Sequence, residues 1–159
     1  MTPVVTNTVV VVYATRHGYC ARIAERMLDS LRARNLVAEM VDVAKLPAGF
    51  RLDGYSGAML ISPIHLGHHL SEMKRFVKAN LDALQSMPAA FLSVSLSQAG
   101  AEMESSAPER RAQAAADAAR VIDGFLAETG WHPLNIRAVA GALLYTKYNF
   151  LLRFVMKRR

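Results

Sequence analysis

The chain has 159 residues, 52% of them hydrophobic, and its 19 Lys and Arg outnumber 13 Asp and Glu, giving a formal charge of +6 and a pI near 9.8. That length suits one domain with a substantial core, and the charge favours an anionic partner: cofactor phosphate, nucleic acid or lipid headgroup. The single cysteine, Cys20, excludes an internal disulfide, a CxxC redox pair and a cysteine-rich metal site, so a reducing, intracellular compartment is expected.

Residues 1–7 carry no charged side chain and are read as an N-terminal extension, neither signal peptide nor anchor. The run Val9-Val10-Val11-Val12 is too continuous for a one-sided strand and predicts a parallel strand buried on both faces. A helix follows, with Ile23, Ala24, Met27, Leu28 and Leu31 on one face and Arg22, Glu25, Arg26, Asp29 and Arg32 on the other. Between them lies the turn Thr15-Arg16-His17-Gly18-Tyr19-Cys20. A strand running into a helix N-terminus aims unpaired N–H groups and the positive end of the helix dipole at one spot, which suits a phosphate. Gly18 permits close approach, Thr15 offers a hydroxyl and Arg16 a charge; the competing reading is an ordinary turn in which Thr15 caps the helix. The glycine and lysine spacings of a P-loop or dinucleotide fingerprint are absent.

A second strand is predicted over 37–43, its incomplete alternation suiting a sheet edge, then at most a turn of helix across 44–57 and a third strand over 56–62. The loop Pro63-Ile64-His65-Leu66-Gly67-His68 leads into a helix over 69–85 with Leu70, Met73, Phe76, Val77, Leu81 and Leu84 as its core stripe. His65, His68 and His69 invite a metal, but no carboxylate or cysteine stands beside them, and loop histidines are commonly polar surface; no metal is expected. A fourth strand over 88–96 grows serine-rich toward its end, and a loop of 97–107 precedes a helix that begins at Pro108 and stops at Gly130. A fifth strand is expected over 136–143. Trp131 reads as a partly buried anchor rather than a stacking ring, and Cys20 as an idle buried thiol rather than a reactive one.

This order predicts a three-layer, doubly wound α/β domain with a five-stranded parallel sheet over 1–159, whose ligand binds beyond the carboxyl ends of the strands. Residues 144–159 form a basic, apolar C-terminal segment.

The turn 15–20 resembles the phosphate loop of the flavodoxin-like, menaquinone-dependent protoporphyrinogen dehydrogenases. The blocks 62–68, 87–96 and 140–148, the last beginning Ala140-Gly141-Ala142-Leu143, are similar to that family in order and spacing. The resemblance implies a flavodoxin-like fold and FMN held by Thr15 and the backbone of Arg16, His17, Gly18, Tyr19 and Cys20. It sets the flavin ring between Pro63, Ile64, His65, Leu66, Gly67 and His68 on one side and Ser95, Leu96, Ser97 and Gln98 on the other. It implies protoporphyrinogen IX as substrate in heme biosynthesis, a menaquinone-type quinone as acceptor and no nucleic acid; a homo-oligomer stays open. Two departures stand out: Cys20 replaces the loop's last hydroxyl, and the family's terminal helix is missing or replaced after 159. Residues 147–159 either pack on the sheet or lie on an anionic membrane, making the protein cytoplasmic and peripheral at the inner face of the cell membrane. An FMN electron carrier and a flavin-free binding module on the same scaffold are the alternatives.

Overall fold

Branching at Cβ restricts side-chain rotamers in a helix and packs well on a pleated surface, so the valine run forms the interior strand β1 (Thr8–Tyr13) of the computed structural model, which describes residues 7–95 and 107–140. Its alternate valines enter two different cores: Val9 and Val11 face one layer of helix, Val10 and Val12 the other. Helix α1 (Tyr19–Ala33) buries Ile23, Ala24, Met27, Leu28 and Leu31, the predicted stripe, and Asn35 at φ 63 ends it. Strand β2 (Val37–Asp42) lies at the sheet edge beside β1. It stops one residue short of expectation because the Asp42 carboxylate accepts the Ala44 N–H at 2.9 Å, turning the chain into a 3-10 turn, Val43–Lys45. A second such turn, Leu52–Gly54, completes the connection.

Strand β3 (Gly57–His65) runs three residues past its predicted end at 62, and β4 (His68–His69) returns antiparallel, pairing Ile64 with His69 and His65 with His68. The predicted loop 63–68 is therefore a β-hairpin. Pro63 would be expected to end a strand, since it lacks an N–H. In a parallel ladder, however, residues two apart face the same neighbour, and Ile61 O accepts from Ala14 N at 2.9 Å as β1 ends. Pro63 thus turns its missing donor to the side β1 has already left. At the hairpin tip, Leu66 (φ 52) and Gly67 (φ 82) both take positive φ, as a type I′ turn requires.

The helix predicted over 69–85 is two helices, α2 (Ser71–Ala79) and α3 (Leu81–Gln85). Asn80 breaks it: at φ −119 it leaves the helix, and its side-chain amide donates to Phe76 O at 2.9 Å. The stripe survives the break, with Leu70, Met73, Phe76, Val77 and Leu84 buried and Leu81 packed against them. Strand β5 (Ala89–Ser95) is buried along its whole length, serines included. Helix α4 (Pro108–Thr129) starts with its proline in the first turn, and the left-handed Gly130 (φ 77) caps it by donating to Leu126 O at 2.9 Å. Strand β6 (Asn135–Ala140) is the fifth parallel strand; the expected strand positions 141–143 lie outside the described residues, as do 1–6, 96–106 and 144–159.

The sheet order is β2-β1-β3-β5-β6, with neighbouring strands parallel and β4 a short antiparallel addition to β3. Helix α1 covers one face; α2 and α4 bury Met73, Phe76, Val77 and Phe125 against the other. On that second face Phe91 stacks on Phe125 with centroids 4.6 Å apart, and Trp131, fully buried, meets Phe91 edge-on at 5.6 Å. Trp131 is therefore a core anchor. The strand order reverses between β1 and β3: one strand leads to a helix on one face, the other to helices on the opposite face. Their carboxyl ends consequently open a crevice, the position where ligands bind in open α/β sheets.

Candidate functional site

The turn from β1 to α1 forms the first wall of that crevice. Gly18 is the residue before the helix and stands at φ 85, a conformation that glycine adopts without strain. Thr15 does not cap the helix: its Oγ1 accepts the Gly18 N–H at 3.0 Å, closing the loop on itself and leaving the hydroxyl proton to be donated elsewhere. The first bond of α1 runs from Arg22 N to Gly18 O at 3.1 Å, and no side chain caps the helix. The N–H groups of Tyr19, Cys20 and Ala21 therefore have no partner within the helix, as geometry demands of a first turn, and point with the positive end of its dipole toward the loop mouth. A Cβ placed on Gly18 would meet nothing within 4 Å, so the backbone there is open to an approaching anion.

The side chains of the loop divide. Arg16 and His17 are exposed; the Arg16 guanidinium reaches Glu72 in the first turn of α2, 2.8 Å away. Tyr19 is exposed and carries the Arg22 guanidinium over its ring at 4.8 Å. Cys20 points the other way, into the core beneath α1, 1% exposed. Burial pushes its thiol up to about 12, so it stays protonated. The folded protein is accordingly expected to be inert to a disulfide reagent at pH 8 and to release one equivalent of thiol only in denaturant; reaction at full rate in the native state would contradict the burial.

The β3–β4 hairpin forms the second wall. Pro63 and Ile64 are half-buried within β3, while His65, Leu66, Gly67 and His68 are exposed, Leu66 at 86%. His65 approaches His17 with ring centroids 5.8 Å apart, bringing the two predicted loops together across the crevice. Ser95 ends β5 and is buried. Leu96, Ser97 and Gln98, predicted for the third wall, lie outside the described residues.

Sequence reasoning missed His69. Grouped with surface histidines, it is 2% exposed, its Nε2 bonded to Ser93 Oγ at 2.8 Å and its ring held between Phe91 (5.2 Å) and Phe125 (4.8 Å). Desolvation first, then the charges of Lys74 and His68, lower its pKa to about 4. The imidazole is therefore neutral at physiological pH and acts as a polar strut between hairpin and sheet. The only signal in the sequence was its place directly before the apolar Leu70. Behind the hairpin His68, His69, Lys74, Arg120, Gly124 and Glu128 line a groove of about 340 Å³ in which Glu128 pairs with Lys74 at 3.0 Å. No group of three or more His, Cys, Asp or Glu placed to hold a metal occurs among the described residues.

A family model described as "flavodoxin domain" matches residues 10–158 of the chain. Protoporphyrinogen IX dehydrogenase [quinone] of Escherichia coli (strain K12) is 29% identical over 147 residues, which cover 92% of this chain and 75% of that protein. Among solved structures, the oxidised flavodoxin 1 of Bacillus cereus superposes with a TM-score of 0.55 at 18% identity, covering 95% of this chain and 96% of its own. A Fusobacterium nucleatum flavodoxin bound to flavin mononucleotide gives 0.53 at 10% identity, covering 96% and 95%. At such identities the structural likeness speaks for the fold.

Proposed function

The chain belongs to the flavodoxin-domain family, and from that premise we propose that it is an FMN-dependent oxidoreductase that takes electrons from protoporphyrinogen IX and passes them to a membrane quinone. The observation that carries this reading is the uncapped β1–α1 turn, found in a chain similar over 92% of its length to an enzyme of that name.

The residues present fit FMN. Three helix N–H groups, the Thr15 hydroxyl proton and the open backbone at Gly18 make a cradle for one phosphate, with Cys20 contributing its backbone N–H rather than its thiol. The hairpin 63–68 and the end of β5 at Ser95 would flank the ring. When bound, FMN supplies the two-electron chemistry. The chain's own part is to bind, orient and attract: the exposed Arg16 at the mouth and the formal charge of +6 favour a substrate bearing carboxylates.

Reconstitution with FMN tests the reading. FMN at a hundred times its Kd is expected to stabilise the fold by about 2.7 kcal/mol, a rise of roughly 5–10 °C in Tm for a domain of this size, and FAD is expected to bind more weakly. Anaerobic protoporphyrinogen IX should then bleach the bound flavin and a menaquinone analogue restore its colour. A protein that neither retains flavin nor gains stability from it is no flavoenzyme; one whose flavin exchanges electrons only with proteins is a carrier.

We further propose a cytoplasmic protein held at the inner membrane face by residues 147–159, where Arg153 lies among Phe150, Leu151, Leu152 and Phe154, and Lys157, Arg158 and Arg159 cluster after Met156. Each surface cation adds about 1 kcal/mol on an anionic membrane. Co-sedimentation with anionic vesicles should weaken with salt and disappear on deletion of 147–159; a full-length chain that ignores such vesicles at low salt would refute the proposal. Among the described residues no helix is long and apolar enough to cross a membrane.

A further inference from the structure

Arg16 is the one cation within the turn 15–20, and in the structure it is engaged elsewhere. Its guanidinium spans the crevice to Glu72, Nη1 to Oε1 at 2.8 Å, with the Arg16 side chain 42% and the Glu72 side chain 19% exposed. The first wall of the crevice is thus tied to α2 by a charge pair: Arg16 comes from the β1–α1 turn, Glu72 from the first turn of α2, the helix that directly follows the hairpin. Glu72 Oε1 is buried and accepts no well-aligned hydrogen bond among the described residues. Its charge is compensated by proximity to Arg16 and by the positive end of the α2 dipole. A carboxylate in that position opposes phosphate capture in two ways. It competes for the guanidinium, and it is left uncompensated when Arg16 turns away.

We propose that Glu72 is a positioning residue that keeps the guanidinium of Arg16 engaged and so withholds it from an anion in the phosphate loop, thereby setting the affinity of the loop for that anion. The inference rests on the FMN reading for its natural ligand and on the geometry alone for its sign. A phosphate dianion is the stronger partner for a guanidinium than a partly exposed carboxylate, so the pair opens as phosphate enters. The cost of opening is what Glu72 imposes. A loop built this way binds its cofactor through backbone N–H groups first and through Arg16 only by exchange.

The test is a double-mutant cycle on the full chain: wild type, Glu72→Gln, Arg16→Ala and the pair, each titrated with FMN and with riboflavin by quenching of flavin fluorescence. Glu72→Gln keeps the side-chain shape and removes the charge. It is expected to tighten FMN on the order of fivefold, to leave riboflavin, which has no phosphate, unchanged, and to bring no gain when Arg16 is already alanine. The same four proteins are followed by thermal shift in inorganic phosphate. Phosphate should stabilise Glu72→Gln more than wild type, again only with Arg16 present, whether or not flavin binds. An FMN affinity unchanged or weakened in Glu72→Gln overturns the proposal, as does a gain that persists without Arg16 or extends equally to riboflavin. Should flavin bind and the cycle show no coupling, the inference fails and the FMN reading stands. Should phosphate show the coupling and no flavin bind, the reverse holds.

Discussion

Gly18→Asp is expected to weaken FMN binding at least a hundredfold, whereas Gly18→Asn weakens it less than about tenfold and both variants fold. Both side chains would stand at φ 85, where asparagine and aspartate are among the residues least penalised after glycine. A Cβ there meets nothing within 4 Å, so neither substitution clashes with the protein. Backbone strain is common to the two and costs about 1–2 kcal/mol. What separates them is one negative charge over the uncapped start of α1, at the spot where the phosphate belongs. Two unit charges 4 Å apart repel by about 4 kcal/mol at the effective dielectric of a protein surface. A hundredfold loss requires about 2.7 kcal/mol, so the effect survives substantial solvent screening. Isothermal titration of FMN and riboflavin, with Tm as the folding control, checks it. Equal losses for the two variants would make strain the cause, and undiminished binding in both would put the phosphate elsewhere.

The features read correctly from the sequence are those whose signal is local. Four successive valines cannot leave one face in water, so β1 had to be interior; the weak alternation of 37–43 pointed to an edge strand, which β2 is. The turn 15–20 was legible as a turn because strand end, glycine and helix start are contiguous, and the structure adds how Thr15 is used. Misreadings arose where a distant partner decides. Pro63 looks like a stop until β1 is seen to have ended beside it, and β4 exists because the Leu66-Gly67 turn returns the chain onto β3. The stripe of 70–84 continues in phase across Asn80, so periodicity could not reveal the break that its side chain makes. Ser93 and His69 are buried polar residues joined by one hydrogen bond, through His69 Nε2, while Nδ1 has no partner among the described residues, and Arg16 meets Glu72 only after β3 and β4 have carried the chain across the sheet. The composition of either partner alone predicts solvent.

That buried pair carries the second large effect: stability should fall as the pH falls from 6.5 to 4. His69 titrates near 6.5 when unfolded and at about 4 in the folded chain, so within that window the unfolded state binds the extra proton and acidification favours it. The contribution is fully present above pH 6.5 and exhausted below about 4. At about 1.4 kcal/mol per pH unit the interval sets an upper figure on the order of 3 kcal/mol. The groups around His69 act in the same direction or not at all: Phe91 and Phe125 exclude water, Ser93 is neutral, and Lys74 and His68 oppose a second positive charge. Carboxylates whose pKa is lowered by their partners, Asp53 by Arg51, Asp117 by Gln113 and Arg120, and Glu128 by Lys74, lose their contribution from the ordinary carboxylate range downward, 4.5 for Glu128 and 3.8 for the two aspartates, so they enter at the acid end of the His69 window and the interval from pH 7 to pH 5 is where His69 dominates. His69→Gln supplies the control. Its amide can still meet Ser93 but takes up no proton, so its stability at pH 7 is expected to be lower than wild type while its loss between pH 7 and pH 5 is smaller. Urea unfolding at the two pH values measures both slopes. Parallel slopes would mean that His69 is already solvated or charged in the folded state, and the strut between hairpin and sheet would have to be redrawn.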